Sequence, residues 1–148
     1  MLNYMLKSYL AVGFLSATIA TTFYPRKKEL KKALTDQLTD EEIFIYHEII
    51  NERRNIYLGG LAIGMVVSYL YLKYFNRGQL DGMASMAITG VINYFFYNLM
   101  PKSKYMVEYL DTVEENKAWL EIYKTMKFAW HGAFLLGLVA SYFIKDLL

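Results

Sequence analysis

Apolar residues along the chain gather into four long stretches that are separated by charged segments. The stretches cover residues 4–24, 56–75, 82–100 and 128–144, and none of them has Asp, Glu or Arg at its centre. A helix needs roughly 20 apolar residues to cross a hydrocarbon core about 30 Å thick. Helices of a soluble bundle would instead carry polar residues at every third or fourth position. The pattern therefore predicts an all-α membrane protein with four transmembrane helices.

The composition agrees with a membrane protein. Hydrophobic residues make up 55% of the chain and aromatic residues 17%. Charged residues account for 20%, below the roughly 25% that is typical of soluble domains.

The second half of the chain repeats the first at a constant offset. Gly132 follows Gly59 by 73 positions, and the same offset relates Gly64 and Ser68 to Gly137 and Ser141. It also relates Thr39, Glu41 and Glu42 to Thr112, Glu114 and Glu115. Internal repeats indicate how a fold is built. The sequence thus predicts a single membrane domain over residues 1–148, formed by tandem duplication of a two-span unit, with repeat one at 1–77 and repeat two at 78–148.

Each repeat is predicted to carry an amphipathic helix on the cytoplasmic side. Thr39 and Thr112 each precede acidic residues, as expected where a helix begins with an N-cap oxygen and acids near its positive dipole end. Apolar and aromatic positions then recur at helical spacing. The pattern is equally compatible with helices that continue from the cytoplasmic face straight into a span.

The distribution of basic residues predicts the orientation. Residues 26–54 and 102–127 together contain twelve Lys and Arg, whereas Lys7, Lys73, Arg77 and Lys145 are the four on the opposite side. Short loops rich in Lys and Arg stay in the cytoplasm. Both termini are therefore predicted on the non-cytoplasmic side.

The first apolar stretch also has features of a removable signal peptide. Lys7 lies before the apolar run, and the small residues Ala17 and Ala20 resemble a cleavage site. Removal would leave the second repeat with a span that the first lacks. The repeat therefore favours retention of the first span.

Small residues form one face of the second span and of the fourth. In lipid, small residues let helices approach closely and gain van der Waals contact. This predicts that the second span packs against the fourth, with dimerisation through the same faces as the alternative. The candidate packing residues are Gly60, Gly64, Ser68, Gly132, Gly137 and Ser141.

Polar side chains within the spans are few. Asn93 lies in the middle of the third span, Thr18 and Thr22 lie in the first, and His131 lies near the cytoplasmic end of the fourth. Such residues mark either a pore or proton pathway or hydrogen bonds between helices. The position of His131 near the interface favours a structural hydrogen bond, and Asn93 is more typical of interhelical contact than of an ion ligand.

The sequence offers no set of residues for catalysis or metal binding. Cysteine is absent and there are two histidines, His47 and His131, which do not have the spacing of a metal or haem site. No cofactor is therefore expected. A nucleic-acid partner is not expected either, because acidic residues accompany the basic ones and weaken attraction to phosphates. The basic and aromatic residues instead suggest contact with a protein partner or with anionic lipid headgroups. The candidates are Arg53, Arg54, Lys102, Lys104, Trp119 and Tyr123.

Two segments resemble an uncharacterised family of small multi-pass membrane proteins encoded by nucleocytoplasmic large DNA viruses. They are IINERRNIYLGGLAIG and NLMPKSKYMVEYLDTVEENKAWLEIYKTM, and the likeness extends over most of residues 24–142. The resemblance implies residence in an internal virion membrane or in a host membrane remodelled for assembly. It implies no catalytic residue.

These observations predict a non-enzymatic integral membrane scaffold that binds the bilayer and a protein partner, or a second copy of itself, with its charged cytoplasmic helices as the binding surface. One alternative is an oligomeric pore or small transporter. Another is an accessory subunit of a larger membrane complex, such as a respiratory assembly in the mitochondrial inner membrane.

Overall fold

The computed structural model describes residues 26–75 and 81–144, and this part of the chain is helical. It contains α1 (Arg26–Thr35), α2 (Asp40–Phe75), α3 (Asp81–Leu99), a short 3-10 helix η1 (Met106–Glu108) and α4 (Val113–Ile144). The predicted all-α class is therefore confirmed. The predicted first span, with Thr18 and Thr22, lies outside the described residues.

Helices α2 and α4 are much longer than a membrane span. With a rise of about 1.5 Å per residue, the 36 residues of α2 extend for about 54 Å and the 32 residues of α4 for about 48 Å. Each one joins a charged segment to an apolar segment without a break. Of the two arrangements left open by the sequence, the continuous helix is the one observed, and α1 is a separate short helix.

Both long helices begin with the same capping arrangement. The carboxylate of Glu42 accepts a hydrogen bond from the backbone N–H of Thr39 (2.7 Å), and the Thr39 hydroxyl accepts one from the N–H of Glu42 (3.4 Å). Thr112 and Glu115 make the same pair at 3.0 and 3.2 Å. This reciprocal capping box satisfies backbone donors that the first turn would otherwise leave unpaired.

The apolar parts of three helices pack side by side, with α3 in the middle. Ser68 of α2 contacts Ser85 of α3, while Gly137 of α4 lies against Met86 of α3. The small face of α2 therefore packs against α3, and the predicted contact between the second and fourth spans is not the one observed. The reason is that a face of small residues permits close approach without specifying which helix approaches.

One described helix is long and apolar enough to cross a membrane. It is α2, and only 17% of its most apolar window is buried within the structure. In α3, polar residues such as Asn93 and Asn98 interrupt the apolar sequence. Within residues 26–75 and 81–144 the structure therefore gives one candidate span where the sequence predicts three.

The charged halves of the long helices form a second packed region. This region, called the head below, comprises residues 26–55 (α1, the turn after it and the first part of α2), residues 101–112 with η1, and residues 113–127 of α4. Its core consists of Leu34, Leu38, Tyr46, Ile49, Met106, Leu110 and Ile122. The remaining parts of α2, α3 and α4 are called the apolar bundle.

Candidate functional site

The interface between α2 and α3 contains a short chain of polar groups. The Ser68 hydroxyl donates to the carbonyl of Ser85 (2.7 Å) and shares a 2.6 Å hydrogen bond with the Thr89 hydroxyl. The Thr89 hydroxyl also lies 3.3 Å from the carbonyl of Gly64. A Cβ on Gly64 would lie only 2.8 Å from the backbone oxygen of Thr89. Glycine is thus required at position 64 because two backbones meet there.

Asn93 lies in the same interface and is 3% exposed. Its Oδ1 lies 2.6 Å from the position that a Cβ on Gly60 would occupy. No N–H or O–H donor among the described residues reaches this oxygen. The Asn93 side chain packs directly against Gly60, where a larger residue would collide with it. Asn93 is therefore part of a packed interface between two helices.

The other polar and small candidates make contacts within or beside α4. Nδ1 of the exposed His131 lies 2.7 Å from the carbonyl of Lys127 in the same helix. The Ser141 hydroxyl donates to the carbonyl of Leu138 (2.7 Å). Gly132 is half-buried, whereas Gly137 is buried against the side chain of Met86.

Three of the basic candidates make hydrogen bonds or ion pairs that hold the turn at residues 101–105 against other parts of the chain. Arg53 donates to the carbonyl of Lys104 (2.6 Å) and lies over the ring of Tyr105, 5.2 Å from its centre. Lys104 forms a 2.6 Å ion pair with Glu48. Lys102 donates to the backbone carbonyls of Tyr97, Asn98 (3.3 Å) and Met100 (2.8 Å).

Lys102 satisfies carbonyl groups at the end of α3, where a cation also offsets the negative end of the helix dipole. Arg53, Lys102 and Lys104 therefore make internal contacts, whereas the sequence suggested a partner or lipid contact for them. Arg54 is exposed.

Glu52 also contributes to the contacts that hold this turn, and it was not predicted from the sequence. Its carboxylate accepts a hydrogen bond from the backbone N–H of Ser103 (2.8 Å) and pairs with Arg53 (2.9 Å). The hydrogen bond from Ser103, assisted by Arg53, lowers the pKa of Glu52 from its ordinary value of 4.5. The hydrogen bond to Glu48 raises the pKa of Lys104. We call Glu48, Glu52, Arg53, Ser103 and Lys104 the clamp.

The clamp predicts a loss of stability in acid. A carboxyl whose pKa is lowered by folding stabilises the fold above its unfolded value, and this contribution is lost as pH falls through the folded value. We expect the melting temperature of the head to decrease once the pH is lowered below about 4.5. Glu52→Gln should lower the melting temperature by a few degrees at pH 7. It should also make the melting temperature depend less on pH in the acid range. Thermal unfolding followed by circular dichroism between about pH 7 and pH 3 measures both effects.

Glu121→Gln is the matched control, because Glu121 is exposed on α4 and makes no hydrogen bond or ion pair within the described residues. Equal pH profiles for the Glu52 variant and the unmodified protein would show that the clamp does not couple acid to stability.

A groove on the surface of the head carries exposed apolar side chains. It has a cavity volume of about 390 Å³ and is lined by Val107, Asn116, Trp119, Leu120 and Tyr123. Val107 is 58% exposed, Leu120 46% and Tyr123 55%. The Trp119 ring packs edge-on against Tyr46 of the head core, with ring centres 6.3 Å apart. We call this surface the head groove.

Two residues of the head groove were predicted from the sequence, and the other three were not. Trp119 and Tyr123 stood out as aromatic positions on a helix. Leu120 lies on the same helix between them. Its spacing of four residues from Asn116 and three from Tyr123 places it on the same helix face, so the sequence could have predicted it. Val107 comes from η1, and only the tertiary fold brings it beside α4.

No protein-family model matches the chain, and no curated protein and no solved structure is significantly similar to it. Within residues 26–75 and 81–144, no group of three or more His, Asp or Glu could hold a metal ion.

Proposed function

We propose that the chain is a non-enzymatic integral membrane protein whose apolar bundle lies in the bilayer and whose head binds a protein partner through the head groove. The observation that carries the membrane placement is the matched length of the apolar segments. In α2, Lys73 follows Arg54 by 19 positions, or about 28 Å of helix. The 19 residues of α3 extend over a similar distance, close to the thickness of a hydrocarbon core.

Contacts between the helices place these segments at the same level. Gly60 and Gly64 of α2 lie opposite Asn93 and Thr89 of α3. On the other side of α3, Tyr94 lies beside Trp130 of α4, with ring centres 6.1 Å apart. The ends of the three segments nearest the head therefore lie at a similar level, as one face of a membrane requires.

The outer surface of the apolar bundle is rich in exposed apolar side chains. A soluble monomer rarely exposes an apolar patch larger than a few hundred Å², whereas lipid contact accounts for such a surface. Examples are Leu58, Ile63, Met65, Val66, Tyr69, Phe95, Leu135 and Val139.

The proposal keeps the tandem duplication, which rests on the constant offset of 73 positions that relates Gly64 to Gly137. In this proposal, residues 4–24 form the counterpart of α3 in the first repeat. The head then lies in the cytoplasm, and both termini lie on the opposite side of the membrane.

The head groove is the surface proposed for the partner. It offers aliphatic and aromatic side chains beside a tryptophan held by the core, and aromatic anchors of this kind dominate the energy of many protein interfaces. The proposed occupant is a segment of another protein that inserts apolar side chains between η1 and α4. Asn93 packs against Gly60, which favours a scaffold over a pore. We place this function in an internal virion membrane. If the chain is instead an accessory subunit, the proposed setting is a respiratory assembly.

Purification from the native membrane tests the proposal. We expect the tagged protein to stay in the membrane pellet after an alkaline wash and to retain a protein partner in mild detergent. Leu120→Lys places a charge in the head groove and should reduce the recovered partner about tenfold or more, as loss of an interface anchor does. Quantitative mass spectrometry of the purified samples measures the ratio.

Phe44→Lys is the matched control, because Phe44 is an exposed apolar residue of the head (70%) that does not line the head groove. Release by the alkaline wash would refute the membrane placement. Equal recovery of every stoichiometric partner with both variants would refute the role of the head groove.

A further inference from the structure

A second cavity opens in the head between α1 and α4, away from the residues that line the head groove. It has a volume of about 140 Å³ and is lined by Leu30, Lys31, Ile122, Thr125 and Met126. Three of these side chains are apolar, one is a hydroxyl and one is a cation. We call this cavity the α1–α4 cleft. Its volume corresponds to about five water molecules in the liquid, which is room for a phosphate group and a few attached atoms.

The α1–α4 cleft lies close to the boundary of the apolar bundle. The apolar segment of α4 begins at Phe128, so Met126 lies about 3 Å and Ile122 about 9 Å beyond it along the helix axis. The headgroup layer on each side of a bilayer is about 5–8 Å thick. In the proposed membrane placement, on which this inference rests, the cleft is therefore at the depth of lipid phosphates.

Exposed lysines outnumber exposed acidic residues on the two helical segments that form the cleft. Lys28, Lys31 and Lys32 are exposed on α1, and Lys124 and Lys127 are exposed on α4. Among the described residues, none of these five ammonium groups takes part in a hydrogen bond or ion pair. Exposed acidic residues on the same two segments are Glu29, Glu114 and Glu121. Lys104 and Lys102 differ from these lysines, because Lys104 is paired with Glu48 and Lys102 with backbone carbonyls.

We infer that the α1–α4 cleft binds the phosphate of an anionic phospholipid, with Lys31 as the cation at its rim and Thr125 as a hydroxyl donor. The apolar side chains of Leu30, Ile122 and Met126 contact the glycerol and the first acyl carbons. Clusters of lysines next to a membrane attract anionic lipids. A cleft with an apolar floor adds a defined site to that general attraction.

The probe is dioleoyl phosphatidylglycerol, added to the purified full-length protein in mild detergent. Dioleoyl phosphatidylcholine and inorganic phosphate are the two comparison ligands. Native mass spectrometry counts bound lipid, and the melting temperature reports its effect on stability. We expect phosphatidylglycerol to bind more tightly than phosphatidylcholine and to raise the melting temperature, while inorganic phosphate at equal concentration has little effect.

Lys31→Gln should weaken phosphatidylglycerol binding about fivefold, as expected for loss of one lysine at an anionic surface. Thr125→Phe fills the cleft while keeping every lysine, so it separates a defined site from general attraction and should also weaken binding. Lys117→Gln is the matched control, because Lys117 is exposed on α4 but does not line the cleft. Circular dichroism confirms that each variant is folded.

Equal binding of phosphatidylglycerol by all three variants would overturn the inference, since the attraction would then be diffuse. Protection by inorganic phosphate as strong as that by the lipid would also overturn it, in favour of a site for soluble phosphate. Failure of the membrane placement is detected separately, because the alkaline wash would then release the protein whatever the lipid titrations show.

Discussion

Gly64→Ala is expected to destabilise the apolar bundle by about 1–3 kcal/mol, the usual cost of overpacking a close contact. The new Cβ would lie 2.8 Å from the Thr89 carbonyl oxygen and 3.0 Å from the Thr89 Cα. Both are backbone atoms, so α2 and α3 must move apart, and the Ser68–Thr89 hydrogen bond should lengthen. Thermal unfolding in detergent should show a decrease of roughly 3–10 °C in melting temperature.

Two further alanine variants make this prediction specific. A Cβ on Gly59 lies at an ordinary 3.5 Å from the ring of Phe96, so Gly59→Ala should be neutral or slightly stabilising, because alanine favours helix. A Cβ on Gly137 meets only the flexible end of Met86, and Gly137→Ala should cost less than Gly64→Ala. If all three variants melted together, close backbone contact at Gly64 would not be what holds α2 to α3.

The sequence predicted where helices begin more accurately than it predicted which helices contact one another. Thr39 and Thr112, each followed by acids, correctly indicated where two helices begin, since an N-cap is a local feature. The small face containing Gly64 indicated close approach, but a face does not identify its partner. Identifying α3 as that partner required the contact between Gly64 and Thr89, which are far apart in the sequence.

The candidate site was predictable only in part for the same reason. Arg53 and Lys104 were predicted as surface charges because their partners distant in the sequence cannot be recognised from local sequence. In the fold, Arg53 reaches a backbone carbonyl 51 positions away, and Lys104 reaches Glu48. Trp119 and Tyr123 were found because aromatic positions on a helix can be recognised locally. The α1–α4 cleft was missed because its residues come from two helices that are far apart in the chain.

The second large effect is expected for Leu34→Ala in the head. Leu34 is 0% exposed and belongs to the cluster that joins α1 to α2, η1 and α4. Truncation of a fully buried leucine to alanine typically costs about 2–5 kcal/mol, because apolar contact is lost and a cavity remains. The head should therefore unfold at a lower temperature than in the unmodified protein, while the apolar bundle keeps its own transition.

The two tryptophans allow this difference to be measured. Trp119 packs against Tyr46 in the head core, and Trp130 stacks on Phe134 in the apolar bundle. In a Trp130→Phe background, the fluorescence of Trp119 reports the head alone, and Leu34→Ala should lower its midpoint by roughly 5–15 °C. Val113→Ala is the control, because Val113 is 63% exposed and should leave the midpoint unchanged. If Leu34→Ala left it unchanged too, the buried cluster would not be what stabilises the head, and the head groove and the α1–α4 cleft would lose the rigid support that both proposals require.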